Sequence, residues 1–434
     1  VSVAKTFLFL EPLALALMTF AFWFGSPVPL PARDQWLWTL ALIPVFWLAR
    51  WLCYGHLWTR TPLDGWLLAF IVLAVINIAV APYRRVSSDP FYSFIILMCR
   101  PLLGMAFYYY FVEYARQHNR TDGLLTGMIV FGLFIGLLAL GSSQWNSKST
   151  LLSFITDALP RLRGFPGAEG GFNANEAAGA LSWLCPLLAG IALYPWRRRA
   201  LSLLAWLAFG LVFAALFLGQ SRFALFGTLA ALALVFWLTL PRGRGLYAAL
   251  AGVALFGLLE VLLLFNVLRP PTIPQTVGLN ARDEDSMEGR FDVWNSALEI
   301  IRAHPLTGVG LNMFRDGRVR ALYPAPRYEQ QVLPHAHNEL LQAATDMGLP
   351  GLAVYIGWYV VIGLMLYRAY RRGGSGVKAL AAATAGGLLA HGVFGLGDAI
   401  TLWDRFFFIP WLLFGLAGAA YILAQNPAKL SNNL

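Results

Sequence analysis

His335 and His337 stand one residue apart in Pro334-His335-Ala336-His337-Asn338-Glu339, and a carboxylate follows at once. An imidazole exchanges a proton near neutral pH without leaving its ordinary range. From Asn338 onward the pattern is helical, with Leu340, Leu341, Ala344 and Met347 apolar and Gly348-Leu349-Pro350-Gly351 as the stop. His337 is therefore expected at or beside a helix N-terminus, where the dipole favours the neutral ring, the form able to accept a proton. Glu339 or Asp398 is the carboxylate available to orient it. A lone histidine is more often structural; two of the six histidines clustered in a polar loop between apolar stretches argue for chemistry. The cluster matches no zinc spacing and has no evident fourth ligand, so acid–base work ranks above metal binding.

Residues suited to an anion surround this stretch in sequence. Arg290 falls in the first turn of a second expected helix, a place that disfavours a cation unless an anion is near. Pairing with Asp283 or Glu288 is the competing explanation. That helix carries Phe291, Trp294, Leu298 and Ile301 as one apolar stripe and ends near Pro305. Arg222, in Gly219-Gln220-Ser221-Arg222, sits at the edge of an apolar stretch, where snorkelling to lipid headgroups is an equal alternative. Arg161 and Arg163 precede a glycine-rich run ending Gly170-Gly171-Phe172-Asn173-Ala174-Asn175, in which Asn173 or Asn175 can cap the next helix. Asp283-Glu284-Asp285 has the form of a metal-binding D-x-D, but a solvated acidic run is the simpler account.

The elements that must hold these residues are membrane helices. Of 434 residues, 58% are hydrophobic and 12% charged, about half the usual charged share. Apolar stretches long enough to cross about 30 Å of hydrocarbon recur along the chain without the alternation of barrel strands. The expected fold is an all-α polytopic membrane protein, a single membrane domain over 1–434 with about twelve transmembrane helices. The spans are expected near 6–24, 36–54, 65–82, 92–112, 124–141, 174–194, 200–218, 223–240, 246–268, 351–369, 378–396 and 405–424. The first reads as an anchor rather than a signal peptide, with little n-region charge, no convincing small-residue cleavage site and a length suited to spanning.

Short connections on one side gather most basic residues, among them Arg50, Arg116, Arg197-Arg198-Arg199 and Arg371-Arg372, with Arg84-Arg85 the main exception. Both termini are therefore expected in the cytoplasm, and the loops 142–173 and 269–350 outside. The net charge of +10 is scattered through these loops, which points to anionic lipid headgroups rather than nucleic acid. Cys53, Cys99 and Cys185 fall in or beside spans and read as buried thiols, not a disulfide framework. Only four of 32 basic residues are lysine. Phosphate recognition and a GC-rich genome explain that bias equally well.

Several short motifs, taken in order, resemble the O-antigen ligase family, which also includes O-antigen polymerases and protein O-oligosaccharyltransferases. They are Gly171-Phe172-Asn173-Ala174-Asn175, Ser221-Arg222, Gly289-Arg290 with Trp294, Pro305-Leu306-Thr307-Gly308-Val309-Gly310, and His337-Asn338-Glu339 closed by Gly348-Leu349-Pro350-Gly351-Leu352. The resemblance implies a GT-C-like membrane fold in the bacterial inner membrane, with helices and the active site in the large periplasmic loop, 269–350. It implies a donor of O-antigen on undecaprenyl pyrophosphate, lipid A–core oligosaccharide as acceptor, and no cofactor, metal or nucleotide sugar. His337 would be the base, supported by Asp398 or Glu339, with His335 and Asn338 beside it. Arg222 and Arg290 would neutralise the pyrophosphate, assisted by Arg161 and Arg163. A polymerase or protein transferase would differ only in acceptor. A transporter of the same lipid would instead line its mid-membrane spans with polar groups. Arg100, inside an expected span, must pair within the bundle or meet the lipid phosphate.

Overall fold

The computed structural model describes residues 2–24, 32–83, 90–145, 152–165, 168–196, 198–264, 287–328, 333–400 and 402–425. The Asp283-Glu284-Asp285 run and Arg84-Arg85 lie outside them. The chain is a multi-pass helical membrane protein. Among the described residues a helix overlaps each of the expected apolar stretches, because a backbone in hydrocarbon must satisfy its own polar groups. Seven among the described residues have the length and hydropathy of a membrane span: Ser2–Phe22, Asp122–Ser142, Arg199–Gly219, Arg222–Thr239, Glu339–Arg372, Ser375–Gly395 and Phe408–Gln425. Ala41–Tyr54, Asp64–Val80 and Arg244–Leu259 are shorter apolar helices. The stretch at 92–112 lies in a helix, Pro90–His118, that carries Arg100, Glu113 and Arg116. That at 174–194 divides into Ala174–Ser182 and Leu184–Ala192 at the fully buried Trp183.

The chain divides into two compact units. The first comprises Val1–Ala106, Thr272–Ile362 and Gly395–Phe408. Arg50, counted in the sequence among the basic residues of one membrane side, is buried in the helix Ala32–Tyr54 and paired with Glu11 of Ser2–Phe24. Neither charge is tolerable there alone, and each removes the other's penalty. Arg100 sets its guanidinium over the Phe22 ring at 5.4 Å, a contact within the bundle.

In the same unit the segment after residue 287 builds a small core of its own. The helix Met287–Ala303 buries Val293, Ala297 and Ile300 against Val309, Phe314, Val319, Tyr328, Leu333 and Ala336. Phe291 and Leu298, expected on the buried stripe, remain 50% and 38% exposed. Both apolar faces have helical spacing. The face chosen is the one whose smaller side chains fit a core folded from the loop itself. Arg320 ties this core together, lying 4.3 Å over the Phe314 ring and donating to Ser296 Oγ at 2.5 Å.

The helical run Glu339–Arg372 breaks at Gly348, in the expected stop, with φ +68°. A Cβ there would fall 2.6 Å from the carbonyl oxygen of Pro305. Only glycine lets the two segments meet so closely, and Leu349 N then donates to that carbonyl at 2.7 Å. Asn77, in the middle of the apolar helix Asp64–Val80, fixes the same junction. Its Nδ2 donates to the carbonyls of Thr307 (2.6 Å) and Asp346 (3.1 Å), and its Oδ1 accepts from Leu311 N at 3.0 Å.

The second unit comprises Phe107–Pro271, Gly363–Phe394 and Ile409–Leu434. Here Asp122–Ser142 packs on Arg199–Gly219, which also receives Ala174–Ser182 and Leu184–Ala192. Two short parallel strands, β1 (Ser143–Gln144) and β2 (Phe172–Asn173), join the end of one helix to the start of another.

Replacing Asn77 with Leu keeps the volume but strands a buried N–H and two carbonyls, each costing roughly 1–3 kcal/mol. Asn77→Leu should lower the thermal midpoint in detergent by several degrees. An unchanged midpoint would mean that this clamp contributes nothing to stability.

Candidate active site

His337 lies outside helical geometry, with φ +48°, one residue before the cap of the helix that opens at Glu339. Left-handed backbone is uncommon for a residue with a Cβ, and histidine is among those that tolerate it best. Three neighbours hold the turn. Trp294 Nε1 donates to the His337 carbonyl at 3.2 Å, and His337 N donates to His335 Nδ1 at 3.3 Å. Asn338 Oδ1 accepts from Leu340 N and Leu341 N, both at 3.0 Å, and so caps the helix.

The turn aims the ring at Asp398, which belongs to the same unit. His337 Nδ1 lies 3.1 Å from Asp398 Oδ1. A carboxylate only accepts, so this bond places the proton on Nδ1 and leaves the Nε2 lone pair open. His335 Nε2 lies 3.7 Å from the same oxygen, and the two rings meet edge to face at 4.6 Å. Ala399 N donates to that oxygen at 2.9 Å. Asn338 Nδ2 donates to the Leu396 carbonyl at 3.0 Å and so anchors the segment bearing Asp398.

Electrostatics follow from this packing. Burial alone would raise the Asp398 carboxyl, but the His337 bond and the charges of His337, His335 and Arg290 outweigh it and hold Asp398 below the usual carboxylate range. Arg290, buried in the first turn of its helix, is therefore close enough to act on the same carboxylate. Burial, reinforced by His337, pushes His335 down to about 4 against the pull of Asp398 and Asp404. His335 is thus a neutral companion at physiological pH.

Glu339 does other work. Its Oε2 accepts from the Tyr355 hydroxyl and its Oε1 from Ile400 N at 3.3 Å. These bonds tie the helix to the Asp398 segment, and Asp398 is the carboxylate on His337. Arg222 is exposed at the first position of Arg222–Thr239, after Gln220 at φ +47°. Asn173, not Asn175, caps Ala174–Ser182, accepting from Asn175 N at 2.8 Å and Glu176 N at 3.4 Å. Arg161 and Arg163 line a cavity in the second unit.

The sequence reading passed over Asn77, although a single asparagine inside an apolar helix is itself a signal. It also passed over Arg315 and Asp404, paired at 2.9 Å, whose charges reach His335. Nothing in their spacing joins residues 89 positions apart. His335, His337 and Asp398 each offer a ligand atom within 4.8 Å of the others, so the cluster has the donors for a divalent ion as well as for proton transfer.

Residues 207–356 match the Wzy_C family, described as O-antigen ligase. This O-antigen ligase family segment contains Arg222, Arg290, Trp294 and His337. It ends before Asp398, which reaches His337 only through the fold. The matched segment spans about a third of the chain. No curated protein matches the chain.

Between about pH 6.5 and 4 an unfolded chain carries a proton on His335 that the folded chain refuses. Stability should therefore fall as pH drops through that window, by on the order of 2–3 kcal/mol from this residue. His335→Gln removes the titration and should flatten the midpoint between pH 7 and 4. An equally steep decline in the variant would assign it elsewhere.

Proposed function

We propose that this protein is an inverting glycosyltransferase that moves O-antigen polysaccharide from undecaprenyl pyrophosphate to a sugar hydroxyl of lipid A–core oligosaccharide, on the periplasmic face of the inner membrane. The observation that carries the reading is the His337 ring, bonded to Asp398 through Nδ1 at 3.1 Å with Nε2 left to accept a proton. As the acceptor oxygen attacks the anomeric carbon, its proton passes to Nε2. The bond from that carbon to the pyrophosphate oxygen breaks on the opposite face, and the electron pair leaves with the pyrophosphate. Asp398 is a positioning residue that fixes the tautomer and stabilises the imidazolium as it forms. Arg290, acting on the same cluster, meets the charge growing on the leaving group. The family resemblance gives Arg222 the same task and leaves metal without a role.

A second reading rests on the His335, His337 and Asp398 donors, which suit a divalent ion acting as Lewis acid. Purified protein, given the undecaprenyl-pyrophosphate-linked donor in EDTA, separates these readings. Product on lipid A–core, lost in His337→Ala, is expected. Activity restored only by added metal would favour the metal reading. Chain growth on a second donor molecule would make the enzyme a polymerase, and lipid movement without transfer would make it a transporter.

Asp398→Asn offers both a donor and an acceptor to Nδ1 and so permits the wrong tautomer. Turnover should fall by about 10²–10⁴ with little change in the midpoint. Arg290→Ala should weaken use of the donor, and unaltered donor kinetics would leave it only a structural role.

A further inference from the structure

The helix Met287–Ala303 has two apolar faces, and the loop's own core covers one of them. The other carries the larger side chains, Phe291, Trp294, Leu298 and Ile301, at helical spacing. Phe291 and Leu298 are exposed, and Trp294 and Ile301 are half-buried. The Phe291 and Trp294 rings meet edge to face at 5.5 Å. Single exposed leucines need no explanation, but an apolar stripe left open along a whole helix does.

Polar groups border this stripe. Glu288 and Asp292 bond Arg327, and Glu299, about 100° around the helix from Leu298, is exposed. Arg302, also exposed, lies one turn beyond Leu298 in the last turn. A helix divided lengthwise in this way is the form that lies in a membrane interface.

The apolar surface continues past the helix end. His304 N donates to the Ile300 carbonyl and Gly308 N to the His304 carbonyl, both at 2.8 Å, so the chain keeps turning. Leu306, in that turn, is 74% exposed. Its neighbour Pro305 accepts from Leu349 N, and Leu349 is itself 50% exposed. Leu349 opens the outward row Leu349, Ile356 and Val360 of the apolar run Glu339–Arg372, a row that faces lipid in a multi-pass protein. That row thus leads through Leu349 and Leu306 to the helix carrying Leu298 and Phe291, all within the first unit.

We infer that the helix Met287–Ala303 lies in the surface of the bilayer, its Phe291, Trp294, Leu298 and Ile301 face among the outermost acyl carbons and Arg302 at the headgroup phosphates. A tryptophan at such a boundary keeps its ring in lipid and its N–H on a polar partner, here the His337 carbonyl. The arginine stem lets a guanidinium reach back to the headgroups. Because Arg290 and Trp294 ride on this helix, its seating fixes the height of the candidate site above the hydrocarbon. The surface stands on exposure and continuity; only its use for a lipid-linked substrate rests on the glycosyl-transfer reading.

The test is spin labelling of the full-length protein in nanodiscs of phosphatidylethanolamine and phosphatidylglycerol. Leu298→Cys, Phe291→Cys and Glu299→Cys each receive one nitroxide, in a Cys53→Ser background because Cys53, unlike Cys99 and Cys185, is not buried. Oxygen concentrates in lipid and a neutral nickel chelate in water. The ratio of oxygen to nickel collisions should be about five-fold or more higher at 298 and 291 than at 299. Arg302→Glu sets a carboxylate against the phosphates and should lower the ratio at 298 about two-fold. Two positions on the stripe keep the test open if one variant fails to fold. A ratio at both no higher than at 299 would overturn the inference, placing the face in water. Protection of both from either reagent would overturn it too, placing protein on the face, and indifference to Arg302→Glu would overturn the headgroup contact. Collision rates need no turnover, so this result and the fate of the glycosyl-transfer reading are separately visible.

Discussion

One side chain sets the geometry on which the candidate active site depends. Asn338 Oδ1 caps the helix that begins at Glu339, while its Nδ2 holds the Leu396 carbonyl two residues before Asp398. The cap fixes where the helix starts and forces His337 into the left-handed turn before it. The second bond brings in the carboxylate that meets the turned ring. Glu339 repeats the arrangement from the next position, bonding Ile400 N two residues after Asp398. Asp398 is thus held from both sides by the residues that follow the histidine it orients.

A buried carboxylate beside two imidazoles and a guanidinium is stable only as a group. Burial disfavours the charge on Asp398, and the His337 hydrogen bond, with the electrostatic pull of His337, His335 and Arg290, returns more than burial removes. The same burial keeps His335 neutral at physiological pH. The rigidity of the cluster comes from the core under it. Ala336 is part of that core, and Trp294, on the helix Met287–Ala303, holds the His337 carbonyl. The loop is therefore a folded support for the site and not a tether between spans.

Charge in the apolar helices follows the same economy. Glu11 and Arg50 are buried as a pair, Arg100 rests on an aromatic ring, and Asn77 uses both ends of its amide to hold backbone groups near the helix break at Gly348. Each of these groups has a contact that joins segments far apart in the chain. In hydrocarbon this is the form in which polarity stabilises a fold.

Composition and periodicity alone determined that the chain is helical and crosses the membrane, because only a helix satisfies the backbone through a long apolar run. The helix stop at Gly348 and the helix N-terminus beside His337 were also legible, since each rests on neighbours within a turn or two. Local pattern misjudged the helix Met287–Ala303, where two apolar faces were possible and the loop's own core selected the one with smaller side chains. It left Glu339 and Asp398 as alternative partners for His337, and counted Arg50 only among the basic residues of one membrane side. Asp398 lies 61 residues from His337, and Glu11 lies 39 from Arg50. Spacing along the chain carries no information about such pairs. Tertiary structure decided them, because burial makes an unpartnered charge too costly and leaves only the arrangement in which each finds its counterpart.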